Sequence, residues 1–318
     1  MIITVTLNPS VDKVYWVNSL KICDITQEEF LTRAVRSSTS AGGKGVNISR
    51  FLAAHGMPNV AMGLVGGHTG HVVVRYLRHK HVTTNFTWIH GETRINVTLL
   101  EAGREFSPNL IDEAGPQISA SEITRFVRRY RRMVRQAEWV VLAGSLPPGV
   151  DETIYAELTR IAREAGARVV VSAGGAPLHH ALEASPTIVK PDTRERYRLE
   201  GQHLATTEDI IAAGRQIVST GVELLIVSHH VTGDIAITKD AVWEIQGEIP
   251  TTKFKNLVGA DDAFLAGILL KLAQEESLED ALRFGLASGL ASAESEKKVC
   301  ESAEAIKAEM QDVTVRSI

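Results

Sequence analysis

Apolar, β-branched runs return at short intervals along the chain, at residues 2–7, 60–65, 139–142, 169–171, 187–189 and 224–227. Each is too short for a helix and too continuous for a strand with one wet face, so each predicts a strand buried on both sides. Between most of them the period changes to that of an amphipathic helix, as at 152–165, 207–219 and 278–293. Short buried strands alternating with helices predict an α/β fold, a mostly parallel sheet with helices on both faces. Two stretches break the rhythm. Residues 13–40 and 86–107 alternate polar and apolar side chains without a long helical pattern, which predicts antiparallel strands of a small lid. Ligands of open α/β sheets bind outside the carboxyl ends of the strands, and a lid would cover that edge. The expected organisation is an α/β core of 1–12, 41–85 and 108–318, with 13–40 and 86–107 inserted as a β lid.

Composition narrows the function classes. The chain has 318 residues, 44% hydrophobic and 23% charged, as expected of a soluble globular protein with a sizeable core. A net charge of −4 gives no electrostatic case for nucleic acid or an anionic membrane as partner. The arginine run Arg125, Arg128, Arg129, Arg131, Arg132 and Arg135 does not change this. Phe126, Tyr130, Met133 and Val134 fall between them at helical spacing, which turns the arginines to a solvated face. Cys23 and Cys300 form no ligand-like spacing and point to a reducing compartment. The apolar N-terminus lacks a basic region and meets Asn8-Pro9 at once, so it reads as a buried strand and not a signal peptide. No apolar run approaches ~20 residues, so a cytoplasmic protein is expected.

The chemistry concentrates in four loops. Residues 256–267 run from Asn256 through Gly259, Ala260, Asp261 and Asp262 into an apolar helix. Backbone N–H groups at such a start can hold an anion, and a carboxylate beside them can take a proton from an attacking hydroxyl. Asp262 is the candidate base. Residues 41–47 (AGGKGVN) place glycines and the mobile cation of Lys44 ahead of a helical run at 48–55, an arrangement suited to a phosphate. Asn8 and Asp12 follow the first strand and suit sugar hydroxyls or a turn, while 143–149 (AGSLPPG) follows another strand as a turn. The pair His229-His230 has no third ligand at suitable spacing, and neighbours on a strand face opposite ways, which argues against a metal site.

Taken in order, these motifs resemble the ribokinase-like (PfkB) carbohydrate kinases, and within them the branch of 1-phosphofructokinase and tagatose-6-phosphate kinase. The resemblance spans 1–300 and rests on TLNPSVD (6–12), AGGKGVN (41–47), GLVGGHTG (63–70), GETRIN (91–96), AGSLPPG (143–149), KPDTRE (190–195) and NLVGADDAFLAG (256–267). It implies a Rossmann-type sheet with a β lid, often used to form a homodimer, and transfer of the γ-phosphoryl of ATP to a sugar hydroxyl with Mg²⁺. By this resemblance Asp12, Gly43, Asn47 and Asn96 would contact the sugar, and Lys44, Arg94 and Ser145 its phosphate. Lys190, Asp192, Ser228, His230, Gly233 and Asn256 would lie along the nucleotide, with Glu195 and Asp192 near the metal. Gly259, Ala260 and Asp261 would form the anion hole beside Asp262.

Several positions depart from the family pattern. Asp261 stands in place of a glycine, where it would oppose the charge of a phosphate, and Thr98 replaces a lysine. Ser228-His229-His230, Ser172-Ala173-Gly174-Gly175, Lys190-Pro191-Asp192 and Lys297-Lys298, the last near the expected adenine pocket, are altered on the nucleotide side. Two readings follow. The protein is an ATP-dependent kinase of fructose 1-phosphate, fructose 6-phosphate or tagatose 6-phosphate, or it is a sugar-phosphate sensor that has lost turnover.

Overall fold

The apolar runs become the middle strands of a ten-stranded sheet. The computed structural model describes residues 1–20, 31–104, 108–192, 198–199, 202–204, 206–230, 232–248, 250–296 and 298–318. The strands up to the middle of the chain are β1 (Ile2–Thr6), β2 (Ser10–Val17), β3 (Ala34–Gly42), β4 (Asn59–Gly66), β5 (Thr83–Ile89), β6 (Arg94–Glu101), β7 (Asn109–Asp112) and β8 (Trp139–Ala143). They are followed by β9 (Arg168–Ser172), β10 (Ile188–Val189), β11 (Arg198–Leu199), β12 (Gln202–His203), β13 (Leu224–His230), β14 (Gly233–Ile237), β15 (Val242–Gly247) and β16 (Val313–Ser317). The helices are α1 (Lys44–Ala54), α2 (Gly67–His79), α3 (Ala120–Met133), α4 (Ile154–Glu164), α5 (Gly175–Leu182), α6 (Thr207–Val218), α7 (Ala260–Ala273), α8 (Leu278–Ala293) and α9 (Ala303–Glu309).

The large sheet has the order β16-β15-β14-β13-β10-β9-β8-β1-β4-β5. Strands from β13 to β5 in that order run parallel, and β14, β15 and β16 extend it antiparallel. Alternate residues feed two separate cores, as the period of a strand requires. Ile3, Val5, Val140 and Leu142 enter one core with α3 to α6, while Ile2, Trp139, Val141 and Ala143 enter the other with α1, α7 and α8. This double burial explains why these strands read as continuous apolar runs. The arginines of α3 lie on its exposed side, with Phe126 and Tyr130 fully buried opposite.

A separate four-stranded sheet of order β3-β2-β6-β7 stands beside the carboxyl end of β1. Its composition corrects the expected lid in three respects. Residues 86–89 belong to β5, the edge of the large sheet, paired in parallel with β4. Its sequence Phe86-Thr87-Trp88-Ile89 mixes polar and apolar residues much as a lid strand does, although Phe86 and Thr87, on opposite faces, are both buried, so pattern alone does not separate them. The small sheet also begins earlier and ends later, at Ser10 and Asp112, and its central pair, β2 and β6, is parallel. Asp12 therefore sits within the small sheet, opposite Asn96 on β6 and Ser40 on β3. Residues 21–30 of the expected lid lie outside the described residues.

Candidate active site

Four loops meet at the carboxyl ends of β1, β8, β10 and β13, and the N-termini of α1 and α7 close on them from above. At the start of α7, Gly259 is left-handed, with φ +92°. A Cβ there would lie 2.5 Å from the carbonyl oxygen of Lys298, so both conformation and space demand glycine. Asn256 shapes the preceding turn by accepting a hydrogen bond from the Val258 N–H at 3.0 Å. It is itself buried, as a loop-forming residue under the helix start. The helix then presents Ala260, Asp261 and Asp262 in its first turn, where the helix dipole favours negative charge.

Asp262 is buried but held in place by polar groups. The Asn47 side-chain amide donates to its Oδ2 at 2.9 Å, and the Lys44 ammonium lies 3.9 Å from Oδ1. Lys44 also pairs with Asp192 at 3.1 Å, so its charge is shared between α7 and the loop after β10. Asn47 has its own support. The buried Arg50 donates to Asn47 Oδ1 at 3.3 Å and to the Ala41 carbonyl at 3.0 Å, which fixes the amide with its NH₂ toward Asp262. Arg50 escaped the sequence reading; its signal is an arginine in a helix turn whose neighbours Ile48, Phe51 and Leu52 are all buried. Gly43, at φ +101°, ends the loop ahead of α1, and a Cβ on it would press on Thr6 and Pro9.

On the small-sheet side, both oxygens of the buried Asp12 are engaged. Ser10 Oγ donates to Oδ1 at 2.6 Å and the Lys298 ammonium to Oδ2 at 2.7 Å. The family resemblance suggested the adenine pocket for Lys298, whereas its ammonium reaches Asp12 in the small sheet. Arg94 donates to the carbonyls of Asn8 at 3.2 Å and Glu113 at 3.0 Å, and burial pushes its pKa down. Ser145 is exposed and accepts from Asn8 Nδ2 at 3.4 Å. Asn8 therefore acts as a tether: its backbone holds Arg94, and its side chain reaches Ser145 and the Ala114 carbonyl. Asn96 is partly buried beside Asp12, and its Oδ1 has no hydrogen-bond partner.

The side expected to hold the nucleotide centres on Lys190. Its buried ammonium donates to Ser228 Oγ at 2.7 Å and lies 3.8 Å from both Asp234 Oδ1 and Asp261 Oδ1. Ser228 passes a hydrogen bond on to Asp234 at 2.8 Å. Burial pushes the Asp234 carboxyl up to about 6; Lys190 opposes that shift and the nearby Asp261 adds to it. Asp261, which looked repulsive in isolation, thus faces a cation of its own chain. Asp234 was missed by the sequence reading, although a carboxylate in the buried strand Gly233–Ile237 is itself a signal. Gly233 is buried and pairs with His230 across a bulge at Ser228 and His230. Glu195, expected near the metal, lies outside the described residues. No group of three or more His, Cys, Asp or Glu suited to a metal occurs among the described residues.

The model of the "pfkB family carbohydrate kinase" matches residues 6–303. The chain belongs to that family. Consistent with this, it is 34% identical over 297 residues to the 1-phosphofructokinase of Bacillus subtilis, covering 93% of this chain and 94% of the relative. Its fold matches a Thermotoga maritima protein described as a possible 1-phosphofructokinase, with TM-score 0.90 and 33% identity over 100% of this chain and 99% of the other. Phosphofructokinase-2 of Escherichia coli, in complex with substrates and products, matches with TM-score 0.85 and 27% identity over 98% of each chain. The ribokinase-like fold and a phosphotransferase activity follow from membership. Among the described residues, no helix is long and apolar enough to cross a membrane.

Proposed function

We propose that this kinase transfers the γ-phosphoryl group of ATP to a hydroxyl of fructose 1-phosphate, giving fructose 1,6-bisphosphate, ADP and a proton. The observation that carries the reading is Asp262. Its carboxylate stands at a helix N-terminus, oriented by Asn47, between the Asp12 side and the Lys190 side of the site. Fructose 1-phosphate is put ahead of fructose 6-phosphate and tagatose 6-phosphate because the B. subtilis relative is a 1-phosphofructokinase.

In this mechanism Asp12 and its neighbours orient the sugar, and Arg94, Lys44 and Ser145 face its phosphate. A guanidinium and an ammonium suit a phosphate dianion. Asp262 accepts the proton of the attacking hydroxyl, and the N–H groups from Gly259 to Asp262 meet the charge of the transferring group. The N-terminus of α7, with its dipole, suits a phosphate chain, and Lys190 supplies a buried cation beside Asp261. Mg²⁺ is normally held by one or two carboxylates plus nucleotide phosphates, so Asp192, with Glu195, is a sufficient donor set. Bound Mg²⁺ would supply charge neutralisation at the phosphates. The sensor alternative drew its weight from Asp261 and the other altered nucleotide-side motifs; the Lys190 ammonium opposite the Asp261 carboxylate lessens that one conflict and favours the kinase.

The test is ADP release from MgATP with each of the three phosphosugars. Release that depends on fructose 1-phosphate is expected. A preference for another of the three would change the acceptor, and no release with any would overturn the kinase reading. This reading includes a cytoplasmic location, where ATP is available and the buried thiol of Cys300 stays reduced.

A homodimer through the small sheet belongs to the same proposal. Val35 on the edge strand β3, and Leu110 and Ile111 on the edge strand β7, are large apolar side chains exposed to solvent. Such edges favour pairing with another chain. Sedimentation equilibrium should give the mass of two chains, shifting to one in Ile111→Asp. A monomeric wild-type protein would remove the dimer from the proposal.

A further inference from the structure

We propose that Lys298 is a substrate-binding residue of the sugar side, and that Asp12 and Lys298 together read two neighbouring hydroxyls of the acceptor. The inference rests on the kinase reading only for the identity of that acceptor. Three observations carry it. First, the Lys298 ammonium and the Asp12 carboxylate are both buried and meet at 2.7 Å, at the residue expected to bind the sugar. Second, each partner keeps hydrogen-bonding capacity. A carboxylate has about four acceptor sites, of which Ser10 and Lys298 fill two, and an ammonium has three protons, of which Asp12 takes one. Third, the lysine is positioned by the frame of the site. Its carbonyl packs over Gly259, and the next residue but one is tied to α8 and α1, with Cys300 N–H donating to Ser292 and Cys300 O facing the His55 ring.

An acceptor and a donor lying side by side match a vicinal diol. One hydroxyl donates to Asp12 while its neighbour accepts from Lys298. A buried cation and anion that are only paired with each other bring little net stability, because the desolvation cost offsets most of their attraction. Their value here is recognition: an analogue lacking either hydroxyl leaves a buried polar group without its partner.

The test combines direct binding and steady-state kinetics in wild type, Lys298→Met and Lys298→Arg. Lys298→Met is expected to raise both the Kd and the KM for fructose 1-phosphate at least tenfold, with the KM for MgATP changed less than twofold. Lys298→Arg should recover part of the loss. Wild type should also bind worse, by at least tenfold, a deoxy analogue lacking one of the two hydroxyls, and Lys298→Met should no longer distinguish that analogue. A rise in the KM for MgATP alone would return Lys298 to the nucleotide side and overturn the proposal. So would unchanged phosphosugar affinity in a folded variant. If Lys298→Met fails to fold, equal binding of every deoxy analogue by wild type overturns it without a variant. Because Kd for the phosphosugar is read without turnover, absence of kinase activity in wild type would sink the kinase reading while leaving this result readable.

Discussion

Asp262→Asn should lower kcat by about 10³-fold, since a positioned general base contributes roughly 10²–10⁴ in rate. That corresponds to about 4 kcal/mol of transition-state stabilisation. Binding of fructose 1-phosphate should survive within a few fold. The substitution keeps the size of the side chain and an oxygen that can still accept from Asn47 Nδ2, which now holds the carboxylate at 2.9 Å. It removes only the ability to take a proton. The two halves of the expectation separate a base from a helix cap. A residue that merely capped α7 would lose stability on substitution and leave turnover per folded molecule close to wild type. Stopped-flow or coupled ADP release, normalised to folded protein by calorimetry, makes the distinction. Turnover within tenfold of wild type would sink the base assignment.

The helix start that carries Asp262, the proposed base, was legible in the sequence because its parts are local: a glycine turn, a carboxylate and an apolar helix within a single twelve-residue run. The core strands were legible for a similar reason. Double burial forces β-branched residues onto both faces of β1, β8 and β9, and no other element produces that run at that length. Helix α8 keeps the bounds 278–293 that its pattern suggested, helped by a Ser277 cap on Asp280. The lid boundary was less legible. Edge strand β5 mixes polar and apolar residues although Phe86 and Thr87, on opposite faces, are both buried, and residue pattern does not record which sheet a strand joins.

What could not be read lies in contacts between distant parts of the chain. Lys298 and Asp12 are 286 positions apart, and the lysine sits where the family comparison suggested adenine. Its side chain is long enough to cross from the backbone over Gly259 to the small sheet, a fact about reach rather than about motif. Asn8 suited a sugar ligand by position, yet its NH₂ group is committed to Ala114 and Ser145, leaving Oδ1 as the part without a partner among the described residues. Asp261 reads as a fault in a phosphate loop until Lys190, from the loop after another strand, is seen opposite it. In each case the residue type was visible and its partner was not.

Lys190→Met should be the most destabilising single change in the site. The ammonium is the cation shared by two carboxylates, Asp234 and Asp261, and the first of these is buried. Removing one member of a buried pair leaves an uncompensated charge and costs about 3–5 kcal/mol. The loss should depend on pH. Burial has already pushed the Asp234 carboxyl up to about 6, so the folded state holds a proton that the unfolded chain releases near 3.8. For such a group, stability falls as pH rises between those two values and levels off above the upper one. Without Lys190 the carboxyl should rise further, because its main opposing charge is gone. The variant can then escape much of the penalty at pH 5 by protonating Asp234, and cannot do so at pH 8. Urea unfolding at the two pH values should therefore show the larger loss at pH 8. Adding Asp234→Asn to Lys190→Met should restore most of it, since the amide carries no charge to strand and can still accept from Ser228. A loss that is equal at both pH values, or that Asp234→Asn fails to reduce, would show that Lys190 stabilises the fold through the packing of its stem against Phe264, whose ring centroid is 5.4 Å from the ammonium, and not through charge.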